Sequence, residues 1–133
     1  MPPYSPYRTQ ADLITETLAN IGVLSAGQPI DPEDYNYVAE KLDAILRKLA
    51  ALEIVYIADS NNIPGTFFSD LADIVAGEVA TKFGTTGQAL TDLLNRGLGG
   101  AAGTEVGSGA AAKSLKQISR ARPTHEVLRV EYF

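Results

Sequence analysis

Between Asp31 and Leu52 the apolar residues Tyr35, Val38, Leu42, Ile45, Leu49 and Leu52 recur at steps of three and four, which lines all six along one helical face. Glu40, Lys41, Asp43, Arg47 and Lys48 fill the other side, so this helix has one stripe to bury and a solvated back. Asp31 supplies an N-cap, and Pro32 takes the first helical position, where its missing N–H is not needed. Glu33 and Asp34 face the positive end of the helix dipole. The rest of the chain is expected to supply partners for that stripe.

Upstream, Thr9 and Asp12 form a capping pair. Ala11, Ile14, Leu18 and Ile21 then recur at helical spacing up to Gly22, a first helix of about three turns. Gly27 and Pro29 make Val23 to Ile30 a loop. Downstream, Ile54-Val55-Tyr56-Ile57 suits an extended segment, and Asp59 to Asn62 is turn chemistry. Pro64, Gly65 and Thr66 lead into Phe67, Phe68, Leu71, Ile74, Val75, Val79 and Phe83, a third helix that ends at Gly84 and is expected to pack on the second. Thr86 or Gly87 opens a fourth helix with Ala89, Leu90, Leu93 and Leu94, broken by Gly97, Gly99 and Gly100.

From Gly97 to Ala112 only Gly, Ala and Ser dominate, with Glu105 the single charge. The stretch holds too little apolar volume for a core, and it is expected to be a mobile loop or a helix extension ordered by a neighbour. Ala110 to Arg120 regains helical character, with Lys113, Lys116 and Arg120 on one face and Leu115 and Ile118 on another, until Arg122-Pro123 stops it. In the last seven residues Leu128, Val130 and Tyr132 alternate with Val127, Arg129, Glu131 and Phe133, the pattern of a strand. That strand can add to another chain or fold back on Ile54 to Ile57 of its own, and the spacing does not choose. At the other end, Pro2, Pro3 and Pro6 interleaved with Tyr4 and Tyr7 predict an extended leader.

The expectation is a single mainly α domain. It is a four- to five-helix bundle with an extended arm at 1–8, a helical core at 9–96, the glycine- and alanine-rich segment at 97–112, and a basic helix end and strand-like tail at 113–133. A length of 133 residues fits one domain. The absence of cysteine removes disulfide and thiol chemistry and makes an intracellular origin the expectation. Met1-Pro2-Pro3-Tyr4 does not read as a signal peptide, and no apolar run approaches the roughly 20 residues that span a bilayer, so a soluble protein is expected.

The net charge of −5 is unevenly spread. Residues 1–112 carry 14 acidic and 6 basic side chains, a balance of −8, and residues 113–133 carry 2 and 5, a balance of +3. An acidic body argues against general binding to a phosphate backbone, which requires clustered cations.

Candidate chemistry is sparse. His125 is the one histidine and stands in the tail. The pairs Glu33 with Asp34 and Asp70 with Asp73 have the residue types for acid–base work, yet placement in the first turns of helices explains them more simply. Gly97-Leu98-Gly99-Gly100-Ala101-Ala102 fits a loose dinucleotide pattern but follows a helix where that site requires a strand. Asp59 to Asn62 lacks calcium-loop spacing, so no catalytic, metal or cofactor residue is assigned.

Ala11 to Ile14, Ile21 to Leu24, Gly27-Gln28-Pro29-Ile30, Asp31 to Asp34, Ile63-Pro64, Phe68 to Ala72, Arg120 to Pro123 and Arg129 to Phe133 together resemble the phage head-to-tail adaptor proteins, also called tail accessory or packaged-DNA stabilisation proteins. The Gly97 to Gly109 stretch departs from that pattern, where more helix is expected. The resemblance implies a structural virion protein, made in the host cytoplasm and built into the neck. There a ring of copies, a dodecamer in this family, joins the portal to the tail or nozzle protein and helps retain packaged DNA. DNA passes through such a ring without sequence-specific contact. Within it, Lys113, Lys116, Arg120 and Arg122 would meet an acidic surface on the portal or a neighbour, and Val127, Leu128, Val130, Tyr132 and Phe133 would anchor the tail. Two alternatives share the composition: a tail-associated cell-wall hydrolase, and a small helical protein–protein interaction module.

Overall fold

A computed structural model describes residues 7–24, 27–101 and 103–119. Its central element is helix α3 (Gly65–Val79), in which Phe67, Leu71, Ala72, Ile74, Val75, Ala76, Gly77 and Val79 are all buried. A helix apolar around most of its girth belongs inside a bundle, and one with a single stripe belongs at its edge. Accordingly α1 (Gln10–Ile21), α2 (Pro32–Ala51) and α4 (Gly87–Arg96) all lie against α3, as does a short antiparallel pair, β1 (Tyr7–Arg8) with β2 (Ile63–Pro64). Helix α2 buries only Val38, Leu42, Ile45 and Leu49. The organising role expected of α2 therefore passes to α3. The two do pack together as their spacing predicts, but the larger contacts of α3 are with α1 and α4.

The helix starts follow the local chemistry of the chain. Asp12 N–H donates to Thr9 Oγ1 and Thr9 N–H to Asp12 Oδ2, each at 3.2 Å, a complete capping box at the start of α1. At φ 92° Gly22 ends that helix in the left-handed region, its N–H reaching the carbonyls of Leu18 and Ala19. Asp31 caps α2 by accepting from Glu33 N–H at 2.9 Å. After α3 a 3₁₀ turn at Ala80–Phe83 leads to Gly84, and α4 begins at Gly87.

Between α2 and β2 the chain is neither helix nor paired strand. Ile54 and Val55 enter the core, while Tyr56 is 74% exposed. The turn at 59–62 holds the start of α1 in place: Ser60 Oγ donates to Gln10 Oε1 at 2.7 Å, Gln10 N–H donates to Asn61 Oδ1, and Asn61 N–H donates to Asp59 Oδ1. Of the predicted N-terminal arm, Tyr7 and Arg8 pair with Pro64 and Ile63. Residues 1–6 lie outside the described residues.

The glycine-rich stretch corrects the reading that it has too little volume to build a core. Leu98, Ala101, Ala111 and Ala112 are buried and, with Leu115, cap the bundle. The helical run 110–119, here α5, packs onto it through these residues. Gly107 N–H donates to Leu98 O at 2.7 Å, Ala112 N–H donates to Gly97 O at 3.1 Å, and Gly99 bridges Val106. A Cβ on Gly97 would stand 2.7 Å from Asp73 O and 2.9 Å from Ile74 Cα. Glycine here replaces side-chain volume with backbone approach, so counting apolar volume alone understates the packing. The fold class is mainly α, as expected, with five helices and one two-residue strand pair among the described residues.

Candidate functional site

Of the residues assigned to portal and neighbour contacts, Lys113 is exposed and Lys116 half-buried, both on α5. Leu115 is fully buried and Ile118 packs on the core. The amphipathic split predicted for that helix is therefore present. Arg120, Arg122, Val127, Leu128, Val130, Tyr132 and Phe133 lie outside the described residues, as does His125.

Two charged surfaces stand on the described body. One lies between α1, α3 and α4. Asp73, half-buried, accepts a hydrogen bond from Asn20 Nδ2 at 3.3 Å. Burial pushes the Asp73 carboxyl above its ordinary value of 3.8; the Arg96 guanidinium pulls it back, and the neighbouring carboxylates Asp70 and Glu16 raise it further. Beside it runs an open groove of about 480 Å³ lined by Asn20, Ile21, Thr85, Thr86, Asp92 and Arg96 among others. Glu33 and Asp34 do occupy the first turn of α2, whereas α3 has no acidic residue in its first turn. Asp70 and Asp73 lie further along, so the dipole does not account for them. Among the described residues no group of three or more His, Asp or Glu is arranged to hold a metal ion.

The other surface lies where α2 meets the 3₁₀ turn. Tyr37 meets the ring of Phe83 edge-on, with centroids 6.0 Å apart and planes at 87°. Two ammonium groups share the Tyr37 ring, Lys41 Nζ at 5.6 Å and Lys82 Nζ at 5.3 Å from its centroid. Alongside, Lys48 Nζ pairs with Glu78 Oε1 at 3.1 Å. A groove of about 300 Å³ runs between Tyr37, Lys41, Ala44, Ile45, Lys48 and Glu78. The α2 members are spaced four, three, one and three residues apart, one face of one helix, and so were legible beforehand. Lys82 and Phe83 join only because Gly84, at φ 88°, closes the 3₁₀ turn beside them. No local pattern announces that meeting.

The other cations of the body are engaged elsewhere. Arg8 lies over the Phe68 ring at 5.4 Å, Arg47 pairs with Asp43 at 3.0 Å on exposed turns of α2, and Arg96 lies near Asp73. Chemically the body presents clustered charges of both signs and an aromatic ring at its surface. Comparison of the chain with protein-family models, with curated proteins and with solved structures returns no match.

Proposed function

We propose that this chain is a structural subunit of a tailed-phage neck, a head-to-tail adaptor whose copies form a ring between portal and tail and help retain packaged DNA. The observation that carries the reading is where the residues of the resemblance sit. Ala11 to Ile14 open α1, Gly22 ends it, Asp31-Pro32 caps α2, Ile63-Pro64 forms β2, and Phe68 to Ala72 lies in α3. These are the positions that set the boundaries and centre of a mainly helical body, the architecture the resemblance implies. A body with a net balance of −8 over residues 1–112 also suits a channel that DNA passes without being held.

In this reading Lys113, Lys116, Arg120 and Arg122 meet an acidic face of the portal or of an adjacent subunit, and Val127, Leu128, Val130, Tyr132 and Phe133 anchor the tail of each subunit in a neighbouring protein. The test is removal of the chain from an otherwise complete infection. The expected result is filled heads that leak DNA and free tails that do not join. Normal joined particles overturn the reading. So does a cell-wall lytic activity of the purified chain that Asp70→Asn with Asp73→Asn abolishes. Truncation of Val127 to Phe133 tests the anchor alone: attachment to the head is expected to be lost, and unchanged attachment removes that assignment.

A further inference from the structure

The body has six cations, and three of them, Lys41, Lys48 and Lys82, gather at one place. Two of these share a single aromatic ring, and Glu78 pairs with the third. Bringing like charges together on a surface with one counter-charge leaves a local positive excess on an otherwise acidic body. The opposite excess stands on the α1–α3 face, where Asn20 of α1 donates to Asp73 of α3 at 3.3 Å and Glu16 and Asp70 stand one turn away on the same two helices, with Arg96 the cation near Asp73. Asp73 and Glu78 are five residues apart on α3, so these faces point about 140° away from each other. A single copy therefore cannot satisfy one with the other.

We infer that a second copy of this chain docks the Glu16–Asp70 face of its α1–α3 pair onto the Tyr37–Lys41–Lys82 patch of the first, a head-to-tail contact that each copy repeats. This deepens the adaptor reading and rests on it, since a repeated one-way contact is what closes a ring. Charge complementarity favours the chain itself over a nucleic acid. The patch has Glu78 in its lining and is followed along the same face of α2 by Asp34, three residues before Tyr37, and these carboxylates repel a phosphate backbone. Ala44, Ile45 and the ring of Tyr37 give the contact an apolar floor between its charges.

The test is sedimentation of the purified full-length chain over a range of concentrations, at about 50 mM and about 500 mM salt, since added salt shortens the screening length several-fold over that range. The wild type is expected to associate beyond a dimer at low salt, with association weakened about tenfold or more at high salt. Lys41→Glu with Lys82→Glu is expected to be monomeric, as is Glu16→Lys with Asp70→Lys. An equimolar mixture of the two is expected to associate again, because reversal on both sides restores every contact. Circular dichroism and urea midpoints check that each variant folds, and Lys41→Gln with Lys82→Gln gives the same reading without inverting charge. A wild type that stays monomeric or stops at a closed dimer overturns the inference. So does association untouched by the lysine substitutions, or a mixture that stays apart. Association intact after charge reversal removes this contact and leaves the adaptor reading standing, because that reading is tested by the loss of head–tail joining.

Discussion

Replacing Gly97 with alanine adds one methyl group at the tightest approach between α3 and the end of α4. Gly97 has φ −94°, outside the left-handed region, and a side chain added there meets crowded backbone. The new Cβ would stand 2.7 Å from Asp73 O and 2.9 Å from Ile74 Cα, where ordinary contacts begin at 3.4 Å. Both are backbone atoms in the middle of the central helix and cannot swing aside, so the end of α4 must retreat by roughly 0.7 Å in a packed interior. That retreat strains the Ala112 N–H to Gly97 O bond and the seat of Leu98. Overpacking of this kind costs about 3 kcal/mol, on the order of 10 °C in Tm for a domain of this size. Gly84→Ala is the matched control. At φ 88° with nothing within 4 Å of its Cβ, it tests conformation without crowding and is expected to cost about 1 kcal/mol. Urea unfolding of the three proteins, read as midpoints at constant slope, supplies the comparison. A Gly97→Ala protein within about 0.5 kcal/mol of wild type, or more stable than Gly84→Ala, refutes the packing argument.

Three further outcomes follow from local features. Thr17 on α1 is fully buried and its hydroxyl has no hydrogen-bond partner among the described residues; Thr17→Val keeps the shape, removes that group and is expected to raise stability by about 1 kcal/mol in urea, whereas a loss of that size contradicts the assignment. Thr9→Ala removes the capping box of α1 and is expected to cost about 1 kcal/mol, read as a lower urea midpoint. The Asp73 carboxyl is raised on folding, so the native state holds its proton more tightly than the unfolded chain does, and this group's contribution is present below its ordinary 3.8 and lost as pH rises through the raised value. Asp73→Asn is therefore expected to gain stability relative to wild type as pH climbs through that window; a wild type that gains on the variant instead reverses the sign and rejects the cause.

Helix boundaries were the most legible part of the fold because they rest on short-range chemistry. Thr9 with Asp12, Asp31 with Pro32, Gly22 and Gly84 each act within a few residues, and the structure uses every one. The centre of the fold is less legible. A clear apolar stripe marks α2, whereas α3, apolar on nearly every side, gives a weaker periodic signal although it is the more buried helix. Gly97, Gly99 and Gly109 signal flexibility in sequence, because one-dimensional volume counting carries no information on the close backbone approach they permit. At the surfaces, the Tyr37–Lys41 spacing is visible in the sequence, but the arrival of Lys82 depends on the 3₁₀ turn. Asp70 and Asp73 looked like first-turn carboxylates because Pro64 and Gly65 do not show how far back α3 begins.

Imaging the neck of an assembled particle at a resolution that separates helices measures the proposed role most directly. The account predicts a closed ring of this subunit between portal and tail, with the Tyr37 patch of each copy seated on the α1–α3 face of the next. A neck ring built entirely from other chains, with this one absent or placed elsewhere in the particle, contradicts it.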